Sequence, residues 1–340
     1  MSELRFDQIR KRWVIIAPER RKRPFAICRI DESEEGECPF CEGKENLTPP
    51  ETFAIGFSGR KPDTPGWRVR VVPNKFPALK SDINLTKLHE SDYFLSLNGF
   101  GYHEVIIETP VHNYPLWERK IDEIMDMFVA INERIKFFYK DRKIKYVLLF
   151  GNYGKAAGAS LSHPHSQIVA LPTIPEIPKN EMDSSRKYYI KNKRCLICNI
   201  LKEEIESGAR IVERRNGFII WEPFASSFPF ETWIIPENHE CDFSNLNNIE
   251  FEKMAFILKD ALLRINKFLK SPPFNLVLHT SCNLNYINKK ERDIIKKSYH
   301  WHLEIISRMT QAAGFEWGTG ININPIPPEE AAECLREVKL

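Results

Sequence analysis

The chain has 340 residues, with 49 Lys and Arg set against 46 Asp and Glu for a net charge of +3. That near balance excludes a nucleic-acid coat, and 42% apolar residues without a bilayer-length apolar run exclude a disordered or membrane-spanning chain. The length suffices for two ordinary domains, or for two similar halves around a shared core. No apolar signal region follows Met1, so a cytoplasmic location is expected.

Taken in order, Lys11 to Pro18 reads as a strand ended by proline, and the basic arm Glu19 to Arg23 follows as a loop. On charge alone that arm is a solvated face. The acidic stretch Asp31 to Glu37 leads as exposed connection into Cys38-Pro-Phe-Cys41. Arg68 to Pro73 and Tyr102 to Thr109 alternate as strands, the second carrying Glu104 and closing before His112. A helix is expected from Glu118 to Tyr139, where Ile121, Ile124, Met127, Phe128, Ile131, Ile135 and Phe138 recur at helical spacing. Lys145 to Phe150 is a buried-type strand. It delivers the chain to the small-residue loop Asn152 to Ser160 and then to His163-Pro-His165-Ser-Gln167.

After a polar, basic connection from Asp183 to Arg194, the order begins again. Cys195-Leu-Ile-Cys198 is followed by strands at Arg210 to Trp221 and Glu231 to Ile235, then by His239. A helix with Phe251, Met254, Ala255, Leu258, Leu262, Ile265 and Leu269 on one face comes next. A strand at Phe274 to Leu278, a polar loop and His300-Trp-His302 complete it. Glu104 precedes His112 by eight residues, as Glu231 precedes His239. The recurrence predicts an internal duplication, with an N-terminal half at 1–182 and a C-terminal half at 183–340.

Two C-x-x-C pairs in a chain without a secretory signal point to metal before disulfides. Cys38, Cys41, His112 and His163 make one Cys2His2 set, and Cys195, Cys198, His239 and His300 make another. Thiolate with imidazole in fourfold coordination selects zinc, and closed sets of this kind are structural. The plainer alternative packs the histidines into the core and leaves the cysteines alone to matter.

If the first histidine of each His-x-His is a ligand, His165 and His302 remain for chemistry. Asn152, Ser160, Ser162 and Gln167 surround His165 with neutral hydrogen-bonding groups, whereas Glu304 stands beside His302 and would repel an anion. His165 is therefore the expected nucleophile toward a phosphate ester, forming a phosphoramidate that splits a transfer into two steps. Gln167 can donate a hydrogen bond to a phosphoryl oxygen without supplying a proton, which suits an intermediate that waits for a second substrate.

These residues resemble the galactose-1-phosphate uridylyltransferases, the transferase branch of the histidine-triad superfamily. The resemblance rests on His163-Pro-His165-Ser-Gln167 with Asn152, Gly154 and Ser160 ahead of it. It continues at Arg20-Arg-Lys-Arg-Pro24, Asn74-Lys-Phe76, Cys38-Pro-Phe-Cys41 and Ala313 to Gly320, over nearly the whole chain. It implies an α+β fold of two histidine-triad halves and a homodimer. It also implies ping-pong transfer of UMP from UDP-glucose to galactose 1-phosphate through a uridylyl-histidine. Carried over by position, His165 is the nucleophile, Gln167 and Ser160 hold phosphoryl oxygens, and Asn152 lies at the phosphates. Asn74 and Phe76 lie at the nucleotide, and Phe315 and Glu316 at the hexose. Arg20 and Arg23 reach the phosphates from the neighbouring subunit, which replaces the solvated-face reading of the arm.

One departure bears on the substrate. The second Cys2His2 set, with iron as the alternative to zinc there, and the segment Phe228 to Pro236 resemble a plant relative that transfers AMP from ADP-glucose to phosphate. UDP-hexose and hexose 1-phosphate are thus the first expected partners, with the adenylyl donor as runner-up. A nucleotide hydrolase fits less well, because Gln167 stands where a hydrolase has histidine. A tandem zinc module binding nucleic acid or protein leaves Asn152, Ser160, His165 and Gln167 idle.

Overall fold

A computed structural model describes residues 1–22 and 37–340. Arg23, Pro24, Cys28 and residues 31–36 lie outside the described residues. The N-terminal hairpin pairs Glu3–Asp7 (β1) with Arg12–Ile16 (β2). Phe53–Gly56 (β3), Trp67–Pro73 (β4), the small exposed pair Lys87–Glu90 (β5) and Leu95–Leu97 (β6), and Tyr102–Ile107 (β7) follow. The amphipathic helix Ile121–Phe138 (α1) then leads to Tyr146–Tyr153 (β8) and His165–Leu171 (β9).

Glu176–Asn192 (α2) and Leu196–Ser207 (α3) open the second half. Ile211–Arg215 (β10) turns into Phe218–Trp221 (β11), and Glu231–Pro236 (β12) precedes Asn248–Leu269 (α4). Phe274–His279 (β13), Lys289–Ser298 (α5) and His302–Ser307 (β14) come next. Gly314–Thr319 (α6), Asn322–Asn324 (β15) and Pro328–Arg336 (α7) end the chain.

The duplication is written in the sheet. Ten antiparallel strands run in the order β10-β11-β12-β14-β13-β8-β9-β7-β4-β3, so five from each half meet at β13 and β8 in mirrored sequence. In each half one long helix, α1 or α4, connects the third strand to the fourth and lays its apolar stripe on the sheet. Ile131 and Ile135 of α1 share one buried cluster with Leu258 and Leu262 of α4, so a common core joins the halves. The chain is α+β, and no described helix is long and apolar enough to cross a membrane.

Side chains alternate across a strand. Ile106 of β7 and Ile168 of β9 enter the helix-covered core, while Val105 and Ile107 turn to the opposite face and pack with Trp67, Val72 and Phe40. That opposite face carries the chemistry.

Three expectations are corrected. The polar connection from Asp183 belongs to α2 as far as Asn192, and the polar loop before Tyr299 contains α5. Arg210 to Trp221 is a hairpin, turned by Asn216 and Gly217 at φ 58° and 82°, the two-residue turn that Asn-Gly favours. The strand bearing the His-x-His starts at His165, so His163 lies before it. α2 escaped detection because several of its buried positions, Glu181, Ser184 and Ser185, are polar and carry no apolar stripe.

Candidate active site and metal clusters

Cys38, Cys41, His112 and His163 bring one ligand atom each to within 4.8 Å of one another, and Cys195, Cys198, His239 and His300 do the same. Cys41 Sγ lies 3.5 Å from His112 Nδ1 and 3.6 Å from His163 Nδ1, and Cys198 Sγ lies 3.4 and 3.5 Å from Nδ1 of His239 and His300. A tetrahedron with Zn–S near 2.3 Å and Zn–N near 2.05 Å has an S···N edge of about 3.6 Å. The donor atoms therefore already stand at zinc-binding spacing.

The ring nitrogens away from the cluster fix the tautomers. His163 Nε2 donates to Thr109 O at 2.8 Å, His239 Nε2 to Lys296 O at 2.9 Å, and His300 Nε2 to Pro236 O at 3.0 Å. A carbonyl only accepts, so each Nδ1 is left with its lone pair for a cation. Burial pushes His163 down to about 4, which keeps it neutral at physiological pH. In the second cluster, the hydrogen bond from Cys198, and then those from His239 and His300, hold Cys195 as the thiolate.

His165 opens β9 and faces a cavity of about 830 Å³ lined by Phe40, Pro49, Asn74, Phe76, Ser160 and Gln167, among others. Its Nδ1 lies 2.8 Å from His163 O and must donate to it. Nε2 therefore carries the lone pair, on a ring steadied by the edge of Phe40 at 5.2 Å between centroids. Phe40 sits inside the first C-x-x-C, so the cluster also fixes what packs on His165. Asn152 Oδ1 accepts from Asn275 Nδ2 at 2.8 Å, and that same amide group donates to Ala157 O. The pair tethers the loop whose tight turns use Gly154 and Gly158 at φ 81° and 90°. Ser160 and Leu161 form a partition, since a second cavity of about 1150 Å³ lies across them, lined by Asn113, Asn152, Lys155 and Asn266.

The other half diverges at the same place. His302 is fully buried, stacks on Trp233 at 3.9 Å, and has Nε2 3.1 Å from Glu304 Oε1. It lines none of the described cavities, and burial holds it well below its ordinary range. Sequence reasoning missed its surroundings. Arg10 reaches Glu181 and Glu231 at 3.1 Å each and touches Glu304, while His279 Nδ1 meets Glu181 at 3.0 Å. Glu231 was singled out only as a repeat marker. Its counterpart Glu104 is buried with Arg134 at 2.8 Å. His103 was missed altogether. It lies between Asn74 and Gln167, and the one signal for it is its place two residues before Val105 on the site's face of β7.

The remaining candidates lie elsewhere. Arg20 follows β2 in a helical turn, and Phe315 and Glu316 start α6, which leads into β15 beside β2. None of the three lines the described cavities at and beside His165.

Residues 1–175 match the family model "Galactose-1-phosphate uridyl transferase, N-terminal domain", and residues 181–338 match its C-terminal domain model. An ADP-glucose phosphorylase of Arabidopsis thaliana is 35% identical over 99% of this chain and 93% of that protein. A galactose-1-phosphate uridylyltransferase of Thermotoga maritima is 29% identical over 100% and 99%. Among solved structures, the Arabidopsis ADP-glucose phosphorylase with bound ADP-glucose superposes with a TM-score of 0.84 at 34% identity, covering both chains completely. A uridylyltransferase does so at 0.75 and 27%, over 99% of this chain and 97% of that one. With both halves matched and full-length relatives at this level, the chain belongs to the galactose-1-phosphate uridyl transferase family and is a nucleotidyltransferase.

Proposed function

We propose that the chain transfers a nucleotidyl group from a nucleoside diphosphate glucose to a phosphate acceptor by way of His165. The observation that carries this reading is the 2.8 Å bond from Nδ1 to His163 O, which leaves the Nε2 lone pair facing the cavity. Nε2 attacks the α-phosphorus, the Nε2–P bond forms, and the P–O bond to glucose 1-phosphate breaks. In the second step an acceptor phosphate oxygen attacks phosphorus and the Nε2–P bond breaks, restoring the imidazole. The His163 carbonyl steadies the charge that Nδ1–H gains while phosphorus is attached. Gln167 and Ser160 hold phosphoryl oxygens, and Asn152 the phosphates.

ADP-glucose as donor and inorganic phosphate as acceptor is the reading favoured by the 35% identical relative. UDP-glucose with galactose 1-phosphate is the second, supported by the family models and by the Thermotoga relative. Asn74 and Phe76 would meet the base in either case. The halves divide near residue 182, and zinc fills both clusters, with iron as the alternative in the second. The clusters clamp loops and take no part in the transfer. A reducing, cytoplasmic setting suits two clusters built on thiolates. Because Arg20, Phe315 and Glu316 stand off the His165 cavities, we read the enzyme as a homodimer. Arg20 and Arg23 of one subunit reach the phosphates of the other, and Phe315 and Glu316 reach the hexose.

Intact-protein mass after separate incubation with ADP-glucose and with UDP-glucose tests this, with His165→Ala as control. Gain of one AMP or one UMP, absent in the variant, supports the covalent route and identifies the donor. No adduct from either donor overturns it.

A further inference from the structure

The environment of Gln167 contains a second imidazole, and its protonation is fixed by geometry. The backbone N–H of Ala78 donates to His103 Nδ1 at 3.1 Å. An N–H can only be received by a lone pair, so the proton of the neutral ring sits on Nε2. Nε2 lies 2.8 Å from Gln167 Oε1 and therefore donates to it, so the Asn74 Nδ2 group 3.1 Å from Nε2 is a neighbouring donor and not its hydrogen-bond partner. Asn74 Nδ2 approaches the same oxygen at 3.4 Å, and the Asn74 amide is itself fixed because its Oδ1 accepts from Phe76 N–H at 2.8 Å. Two donors thus converge on the carbonyl of Gln167. Its –NH2 is turned away from them and makes no hydrogen bond to a described residue.

Sheet register explains why the two side chains meet. His165 pairs with Ile107, Gln167 with Val105 and Val169 with His103, so His103 and Gln167 share a face as diagonal neighbours of β7 and β9. His103 pairs with Val169, four residues along β9 from His165, and Asn74 stands beside it on the segment after β4. A free glutamine amide can present either its oxygen or its nitrogen to a phosphoryl group, and the oxygen would repel it. Held by His103, it presents the nitrogen.

We propose that His103 is a positioning residue that locks the Gln167 amide with its –NH2 toward the transferring phosphoryl group. Resting on the nucleotidyl-transfer reading, this makes the orientation of Gln167 a built property of the free enzyme. The contact it secures strengthens as charge grows on the phosphoryl oxygens, so His103 acts on the rate of transfer more than on donor affinity.

The test is single-turnover formation of the His165 adduct, read by quenched intact-protein mass over a range of donor concentrations. The donor is whichever of ADP-glucose or UDP-glucose labels the wild type. His103→Ala is expected to lower the limiting rate about tenfold while the half-saturating donor concentration changes by less than about threefold. His103→Gln, whose amide can place a donor near the position of Nε2, restores the rate to within about threefold of wild type. His103→Glu, which when ionised only accepts, is at least as slow as the alanine variant. Adding His103→Ala to Gln167→Ala slows the reaction no further than Gln167→Ala alone, because the effect passes through that amide. Unchanged rates in the alanine and glutamate variants, additive losses in the double variant, or a loss confined to donor affinity would each overturn the proposal. Should His103→Ala not fold, the contrast between glutamine and glutamate at 103 decides the matter alone. If the wild type forms no adduct, it is the transfer reading that has failed, and the two failures are thereby distinguished.

Discussion

Replacing Arg10 by methionine keeps most of the side-chain volume and removes the one guanidinium shared by three buried carboxylates. Arg10 is 7% exposed, and Glu181, Glu231 and Glu304 are 0%, 1% and 2% exposed. In the intact protein burial pushes Glu181 up, but His279, His302 and Arg10 outweigh it and hold its carboxyl below the usual range. Without the guanidinium three buried carboxylates lose the cation they share, and at least one must take up a proton to stay buried. Lifting one carboxyl from about 4.5 to about 7 costs roughly 3 kcal/mol at pH 7, where the group is half protonated, at 1.36 kcal/mol per unit. That lies within the range of about 3–5 kcal/mol for breaking a buried pair. The sign is fixed: a carboxyl raised in the folded state costs nothing below its unfolded value and progressively more as pH rises toward the folded one. His279, Asp7, Tyr299 and His302 also face this network. Urea unfolding of Arg10→Met and wild type should therefore differ by about 3 kcal/mol at pH 7 and by about 1 kcal/mol at pH 5. An equal deficit at the two pH values, or one below about 1 kcal/mol at pH 7, would refute the reasoning.

Metal analysis should separate the two histidines of the first pair: His163→Ala loses about one equivalent relative to wild type, whereas His165→Ala keeps its metal and its melting temperature. Equal metal content in the two variants would contradict the division. Phe40→Ala should retain metal yet slow adduct formation about tenfold, since the ring edge that steadies His165 is gone; an unchanged rate would show that the contact is idle. With metal stripped by a chelator, stability should fall as pH drops from about 6.5 toward 4. Burial holds His163 near 4 in the folded chain while the unfolded chain charges at its ordinary value. A flat profile over that interval, read by thermal unfolding, would contradict the assignment of His163 as a buried neutral ligand.

The local pattern of this sequence determined the duplication, because Glu104 and His112, Glu231 and His239, two C-x-x-C pairs and two His-x-His steps recur in one order. It also determined α1 and α4, whose apolar stripes at helical spacing commit them to a core whatever their partners. The two Cys2His2 groupings were legible too, since cysteines separated by two residues are held close by the chain itself. Only the tertiary structure decided that α2 exists. Its polar positions are buried in an ion network whose cation, Arg10, lies 171 residues away in the chain. The tautomers of His163, His165 and His103 likewise belong to the fold. Each follows from which backbone atom stands across from one ring nitrogen, at Thr109, His163 and Ala78, and no spacing along the chain encodes that meeting. The unequal fates of His165 and His302 show the same division. Sequence distinguished them by Gln167 and Glu304, but packing made one open to a cavity and sealed the other under Trp233.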